Sequence, residues 1–303
     1  MLSFLKKLTE TLLSFLFILK DSKFSTKVKS ISGRSGQVIV LGNGPSFRAD
    51  VEQYSSFFQD KDIICVNNFA NSPYYETLKP YMYLFLDNMY WHKEILSEVE
   101  AQIMATFEFV NNKTSWPVIL LFPFQARGSE RLKVFTNPNI QTLFFNHTPV
   151  SGFIGIRHWL YKRNLGMPKA QNVLIAALFV GINMGYKKIY LFGADHSWHQ
   201  TIELNSKNMV CFRDSHFYDN DDAHLIPFYK GYANQDTFTM QELFDAFATM
   251  FRGYDMLQVY AQSLGCKIYN FSSKTFVDAF ERIKPEQLQS FLTSETLLKK
   301  ANN

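Results

Sequence analysis

A glycine-rich turn after an apolar run is the first feature of the sequence that could do chemistry. Residues 38–41 are Val, Ile, Val and Leu without alternation, which is typical of a strand buried on both faces of a parallel sheet. The next residues are Gly42, Asn43, Gly44, Pro45 and Ser46. Glycines allow a tight turn whose backbone N–H groups approach a ligand, and such turns bind nucleotide phosphates in open α/β sheets. The turn does not complete the G-x-G-x-x-G pattern, so a dinucleotide site is not predicted. The turn is interpreted as a nucleotide site or, alternatively, as an ordinary tight connection.

Polar residues recur where three successive predicted strands end. Asn43 follows the first strand, Asn67 follows residues 62–66, and Asp87 follows residues 81–86. Ligands of open α/β sheets bind beyond the carboxyl ends of the strands, so these side chains are placed to contact a ribose or a phosphate. Each alone would be an ordinary turn residue. Their recurrence favours a binding site.

Histidines supply the candidate acid–base groups. His216 and His224 lie in the polar stretch 205–239, and a histidine suits proton transfer because its unperturbed pKa is near neutrality. His216 is the first choice for a base, since Tyr218 beside it could orient it or contact a phosphate. His196 follows the predicted strand 188–193 and could donate to a phosphate. The alternative for each is a surface or hydrogen-bonded histidine.

An acidic run offers a metal alternative. Residues 219–222 read Asp-Asn-Asp-Asp, and paired carboxylates can hold Mg²⁺ or Mn²⁺ against a nucleotide diphosphate. The run lies in a loop rather than at a strand end, and a solvated acidic loop is the more common case. We therefore expect no metal ligand and no required cofactor beyond a nucleotide-linked substrate.

Composition excludes several classes of protein. The chain has 303 residues, of which 47% are hydrophobic, and this excludes a disordered protein. The net charge of +4 is too small to imply nucleic acid, and no nucleic-acid-binding motif is found. The three cysteines (Cys65, Cys211 and Cys266) are far apart, which argues against a disulfide framework or a zinc site and fits a reducing compartment.

The first thirty residues predict an amphipathic helix on a membrane surface. Leucines and phenylalanines recur at helical spacing among lysines, and the apolar run 12–19 is shorter than the about 20 residues that span a bilayer. The alternative is a helix packed on the domain's own core. Residues 149–172 are also basic and aromatic, which fits an acidic or sugar-bearing acceptor, a membrane surface or a solvated helix face.

Alternating strands and helices predict an α/β protein with a Rossmann-like, mostly parallel sheet and helices on both faces. Asn172 is expected to cap one apolar helix and Thr239 the last long one. We predict a membrane-surface helix at residues 1–30 and one Rossmann-like domain at 31–280, whose lid is at about 196–238. A charged helical tail is predicted at 281–303.

Two motifs carry a resemblance to a known family. G-N-G-P-S at residues 42–46 and G-Y-K-K-I-Y-L-F-G-A-D at residues 185–195 stand in the same order and separation as in the bacterial sialyltransferases of glycosyltransferase family 42. The chain resembles these proteins and the wider group of related α/β proteins over roughly residues 37–280. Only the two motifs are specific.

The resemblance implies a GT-A-like variant of the Rossmann-like fold with a lid, a CMP-activated sugar donor, inversion at the anomeric carbon and no required metal. By position, the cytidine monophosphate site would include Gly42, Asn43, Gly44 and Ser46. Asn67 would contact the ribose or phosphate, and Asp87 and Asn172 replace family residues near the donor. Gly193 and Asp195 would hold the base and ribose.

The chain departs from the family at the lid and the base. The family has lid tyrosines after G-x-D, whereas His196, Ser197, Trp198 and His199 stand here. The family's base is a histidine before the last large helix, and the S-H-F-Y of residues 215–218 resembles its surroundings. His224 is also available.

These features predict a membrane-associated bacterial glycosyltransferase at the inner, cytoplasmic face of the membrane. It would transfer a sialic-acid-like or other ulosonic acid to a surface glycan or glycolipid, such as lipopolysaccharide or capsule. The alternatives are a UDP-sugar glycosyltransferase, a pterin-type pyrophosphokinase or a non-catalytic nucleotide-binding protein. Whether it forms a homo-oligomer stays open.

Overall fold

The computed structural model describes residues 1–24, 36–213, 225–231, 236–284, 287–288 and 290–291. Its helices are α1 (Leu2–Asp21), α2 (Phe47–Gln53), α3 (Tyr75–Leu78), α4 (Ser97–Lys113), α5 (Ile154–Lys162), α6 (Val173–Asn183) and α7 (Met240–Ser263). Its strands are β1 (Gln37–Leu41), β2 (Asp62–Val66), β3 (Met82–Leu84), β4 (Val118–Pro123), β5 (Ile140–Phe145), β6 (Lys188–Phe192), β7 (Ile202–Leu204), β8 (Val210–Arg213), β9 (Leu225–Pro227), β10 (Lys267–Asn270) and β11 (Glu281–Arg282). Helices and strands alternate through most of the chain, as in an α/β protein.

The central sheet is parallel throughout, with the strand order β11-β10-β6-β1-β2-β3-β4-β5. The chain builds one half outward from β1 to β5 and then returns to place β6 on the other side of β1. The strand order therefore reverses between β1 and β6. This confirms the predicted Rossmann-like α/β fold and defines a topological switch point.

Both faces of the sheet are buried, which explains the unalternating strand sequences. Val38 and Val40 of β1 pack in one core with α6, while Ile39 and Leu41 pack in the other. Helix α6 is buried almost all round, so it has no polar face. The second core is rich in aromatic rings, and it accommodates many of the 30 phenylalanines.

Two predicted helix caps are confirmed. The Oδ1 atom of Asn172 accepts a hydrogen bond from the backbone N–H of Leu174 at 2.6 Å. Thr239 and Glu242 form a capping box at the start of α7, in which each side chain accepts from the other's backbone N–H. These caps fix where α6 and α7 begin, next to the cavity described below.

Two segments differ from the prediction. The polar stretch 205–239, in which no strand was predicted, contains β8 and β9, and these form a small antiparallel sheet with β7 just before the stretch. Residues 214–224 and 232–235 lie outside the described residues. The tail predicted to be helical from residue 281 begins instead with β11, which pairs with β10. Ile283 is buried directly after it, in the same core as Ile39 and Leu41, so the packed structure extends past residue 280.

Candidate functional site

A cavity of about 490 Å³ lies at the carboxyl ends of β1, β2 and β6. It is at the switch point of the sheet, where neighbouring strands connect in opposite directions and leave a crevice. Its floor is formed by the turns after these strands, and one wall is formed by α7. The fold therefore places a concave site where open α/β sheets bind their ligands.

Most of the residues predicted for binding line this cavity. They are Gly42, Asn43, Gly44, Asn67, Asp87, Asn172, Gly193 and Asp195, together with His196 from the catalytic candidates. Ser46 does not line it. His216, Tyr218, His224 and the acidic run 219–222 lie outside the described residues, so their positions relative to the cavity stay predictions.

The glycine turn bonds to protein rather than opening toward a ligand. The N–H of Gly42 donates to the carbonyl of Phe192 at 2.8 Å, and that of Gly44 donates to the carbonyl of Gly193 at 2.9 Å. The N–H of Ser46 donates to Oδ2 of Asp195 at 3.0 Å. The expectation that these N–H groups face a phosphate is therefore wrong, because the end of β6 and the turn after it accept all three.

Glycine is required in this turn because the two loops touch. A Cβ atom on Gly44 would lie 2.6 Å from the carbonyl oxygen of Gly193 and would overlap Oδ1 of Asp195. Gly193 has a φ of +62°, in the left-handed region that favours glycine. The glycines thus pack the β1 and β6 turns against each other and shape the cavity floor.

Ser46 bridges two carboxylates below that floor. Its hydroxyl lies 2.6 Å from Oδ1 of Asp195 and 3.1 Å from Oδ2 of Asp50. Burial raises the pKa of Asp50, and hydrogen bonds from Ser273 and Ser46 oppose the rise. Since Asp195 is bonded to Ser46 and is only 2% exposed, it holds the floor together and presents little of its carboxylate to the cavity.

Asn67 and Asp87 form the polar edge of the cavity. The amide Nδ2 of Asn67 donates to Oδ2 of Asp87 at 2.7 Å, and the Tyr83 hydroxyl donates to the Asn67 carbonyl. Asn67 has a φ of +46°, which asparagine tolerates better than most residues and which turns its side chain toward Asp87. Burial raises the pKa of Asp87 from its usual 3.8, and the bond from Asn67 opposes this. A carboxylate with a raised pKa beside a cavity is suited to accept a proton.

His196 is a neutral, anchored side chain on the opposite side. It is 5% exposed, and burial lowers its pKa to about 4. Its Nε2 atom lies 2.6 Å from the Tyr254 hydroxyl and 3.3 Å from Nδ2 of Asn172. Because Oδ1 of Asn172 accepts from Leu174, Nδ2 is the donor, so Nε2 of His196 accepts and the ring proton is on Nδ1. With Nε2 engaged and its pKa far below neutrality, His196 fits a hydrogen-bond donor better than a general base.

An aromatic wall was missed by the sequence analysis. Trp198 and Phe247 lie nearly parallel, with ring centroids 6.3 Å apart, and Phe228 and Phe238 complete this side of the cavity. Leu243, Phe247 and Met250 recur at intervals of three and four on α7, and this spacing could have identified the helix face that lines the cavity. Flat rings opposite amide and carboxylate groups suit a ligand with one aromatic and one polar part.

The described residues contain no group of three or more His, Cys, Asp and Glu side chains that could hold a metal ion. The polar groups that line the cavity instead include amides, a neutral imidazole and the carboxylates of Asp87 and Asp195, of which Asp195 is bonded to Ser46. Such groups can bind hydroxyls and orient a proton transfer.

The fold and cavity define a Rossmann-like α/β protein with a candidate ligand site at its switch point. No protein-family model matches the chain, and no curated protein matches it. Among solved structures it is similar to the MAf glycosyltransferase from Magnetospirillum magneticum AMB-1, with a TM-score of 0.48 and 12% sequence identity. The match covers 94% of this chain and 40% of that one, so this chain spans well under half of that protein's length. A similarity of this degree concerns the fold and is not evidence of a shared activity.

Proposed function

We propose that the protein is a glycosyltransferase that uses a nucleotide-linked sugar. The observation that carries this proposal is the cavity at the β1–β6 switch point, which has a polar edge at Asn43, Asn67 and Asp87 and an aromatic wall at Trp198 and Phe247. The aromatic wall fits a nucleobase and the polar edge fits sugar hydroxyls.

The proposed donor is a CMP-activated sialic-acid-like or other ulosonic acid, transferred with inversion to a cell-surface glycan or glycolipid. The support for CMP is the resemblance of residues 42–46 and 185–195 to the family 42 sialyltransferases. Asn43 is an exposed member of the first motif at the cavity. It is therefore the motif residue whose side chain we assign to the donor.

The transfer needs a group that takes the proton of the acceptor hydroxyl. His216 and His224 remain proposed bases on sequence grounds, with Tyr218 as a proposed contact of the leaving phosphate. Within the described cavity we add Asp87, because it is a carboxylate with a raised pKa. We assign His196 the role of donating its Nδ1 proton to the ligand, with Asn172 fixing the ring.

A nucleotide-binding experiment tests the proposal first. Ligands that bind the native state raise the melting temperature with concentration, so CMP, CDP, UDP, GDP and ATP are compared with and without EDTA. We expect CMP to raise the melting temperature equally with and without EDTA. In Asn43→Ala the same rise should need at least a tenfold higher CMP concentration. Asn112→Ala, an exposed asparagine on α4, is the matched control.

The other outcomes separate the alternatives. A response to UDP or GDP that EDTA abolishes would contradict the CMP donor and favour a metal-dependent enzyme that uses the acidic run 219–222. A response to ATP with a pterin substrate would favour a pyrophosphokinase. Nucleotide binding without sugar transfer to any surface glycan, unchanged in His216→Ala and His224→Ala, would favour a non-catalytic protein. No response at all would overturn the proposed function.

A further inference from the structure

Helix α1 contacts the domain through small polar side chains. Its buried residues are Thr11, Ser14 and Ile18. The backbone N–H of Phe153 donates to the Thr11 hydroxyl, and that of Ser151 donates to the Ser14 hydroxyl, both at 3.0 Å. An amphipathic helix that packs on a core buries an apolar stripe. In α1, by contrast, two of the three buried residues are polar.

The apolar side of α1 faces outward. Ten of its leucine and phenylalanine side chains are between 38% and 84% exposed. Phe4, Leu8, Leu12, Phe15 and Leu19 recur at intervals of three or four and so line one side of the helix. This side flanks the buried stripe. The predicted alternative, a helix packed on the core, therefore does not account for these residues.

The exposed apolar surface continues onto α5. The rings of Phe4 and Phe153 are 5.4 Å apart, and Phe153 directly precedes α5. On α5 itself Ile154, Ile156 and Trp159 are exposed. We call this surface the α1/α5 face. An apolar surface that runs over two helices marks an interaction site, since monomeric proteins rarely expose a large contiguous one.

The charges around the α1/α5 face are mostly positive. The exposed cationic side chains are Lys6, Lys7, Lys20 and Lys23 near α1, and Lys162 and Arg163 at the end of α5. Against them α1 has two acidic residues, Glu10 and Asp21, and residues 131–194 contain no aspartate or glutamate. The guanidinium of Arg163 lies 4.0 Å from the centre of the Trp159 ring. An apolar centre with tryptophan and a cationic margin complements an anionic lipid surface.

We propose that the α1/α5 face docks on the anionic leaflet of a lipid bilayer, with α1 lying in the plane of the interface. No helix in the described part of the chain is long and apolar enough to cross a membrane, and docking does not require one. The apolar side chains enter the boundary between headgroups and acyl chains, while the lysines contact lipid phosphates. This inference does not depend on the proposed sugar transfer.

Vesicle sedimentation tests the proposal on the full chain. The probes are vesicles of phosphatidylcholine alone and of phosphatidylcholine with phosphatidylglycerol in equal parts. We expect the protein to sediment with the anionic vesicles at least tenfold more strongly than with the neutral ones, and this preference should weaken in high salt.

Surface variants separate membrane docking from a role in folding. Leu12→Glu with Leu16→Glu changes side chains that are 57% and 61% exposed, so we expect an unchanged melting temperature and at least a tenfold loss of vesicle binding. Leu204→Glu is the control, since Leu204 is 53% exposed on the small sheet. Deleting α1 would be a poorer test, because it would also uncover the residues that bind Thr11 and Ser14.

Three results would overturn the proposal. They are a failure of the unaltered protein to bind anionic vesicles, unchanged binding by the double variant, and equal loss in Leu204→Glu. Light scattering tests the alternative that the α1/α5 face binds a second copy of the chain. If the unaltered protein is a dimer without lipid and the double variant is a monomer, the α1/α5 face joins two copies of the chain instead.

Discussion

The hydroxyl of Tyr254 lies 2.6 Å from Nε2 of His196, and both side chains are buried. This contact joins α7 to the turn after β6, and so connects one wall of the cavity to its floor. Burial raises the pKa of Tyr254 well above its usual value and lowers that of His196. Both groups are therefore neutral near pH 7, and the bond is a neutral one.

Removing this bond should weaken the fold. We expect Tyr254→Phe to lower the free energy of unfolding by about 1–2 kcal/mol, because a buried Nε2 acceptor then loses its nearest donor. Urea unfolding measures the change. Tyr74→Phe is the control, since its hydroxyl bonds Glu52 at the exposed surface, and it should change the free energy by less than about 0.5 kcal/mol. Equal losses in the two variants would contradict the assignment.

His196 should make the protein sensitive to acid. Its pKa is about 4 in the folded state and near 6.5 when unfolded, so the unfolded state binds a proton at a pH where the folded state does not. Above pH 6.5 His196 therefore does not reduce the free energy of unfolding. As the pH drops from 6.5 to 4, protonation of His196 in the unfolded state lowers that free energy by up to about 3 kcal/mol. Urea unfolding across this range should give a shallower pH dependence in His196→Gln. The same slope in both proteins would show that other groups cause it.

A methyl group should be tolerated at one glycine and not at another. Gly44→Ala should destabilise the protein by about 2 kcal/mol or more, because its Cβ overlaps Asp195. At Gly155 on α5 an added Cβ meets nothing within 4 Å, and Gly155→Ala should stabilise the helix by up to about 1 kcal/mol. The two melting temperatures should move in opposite directions. A stable Gly44→Ala protein would mean that the β1 and β6 turns are not packed as described.

Asp87 can be tested as a base once a transfer reaction is observed. Asp87→Asn keeps the shape and a hydrogen-bonding group but cannot accept the proton, so we expect kcat to fall by about a hundredfold or more. The raised pKa of Asp87 also predicts that kcat declines in acid at a pH above 3.8, as the carboxylate protonates. Asp60→Asn, an exposed residue before β2, is the control. A retained kcat in Asp87→Asn together with a large loss in His216→Ala or His224→Ala would assign the base to a histidine.

The sequence predicted the cavity floor better than its walls. Strands β1, β2 and β3 lie in short unalternating apolar runs, and polar residues directly after those runs must meet at one edge of a parallel sheet. This reasoning brought Asn43, Asn67 and Asp87 together correctly. It did not identify which atoms face the cavity, because that depends on how the β1 turn packs against the β6 turn. Ser46 illustrates this, since it belongs to the motif but points at Asp195 beneath the floor.

Features that depend on distant contacts were missed. The strands β7, β8 and β9 have three or four residues each, too few for a periodic pattern to appear. The strand β11 has only a Glu and an Arg, and it forms because β10 offers an open edge. The sequence indicated an amphipathic α1, but not that its contact stripe contains Thr11 and Ser14.

The bond between Asp50 and Ser273 has a consequence for synthesis on the ribosome. The backbone N–H of Ser273 donates to the Asp50 carboxylate across 223 residues of sequence, and β1 pairs with β6 across about half the chain. A nascent chain can pair β1 through β5 as they emerge, but β1 keeps one bare edge until β6 has been made. The cavity is thus among the last parts of the protein to be completed. Until then the exposed edge of β1 is a site where chaperones can bind and where neighbouring nascent chains can pair wrongly.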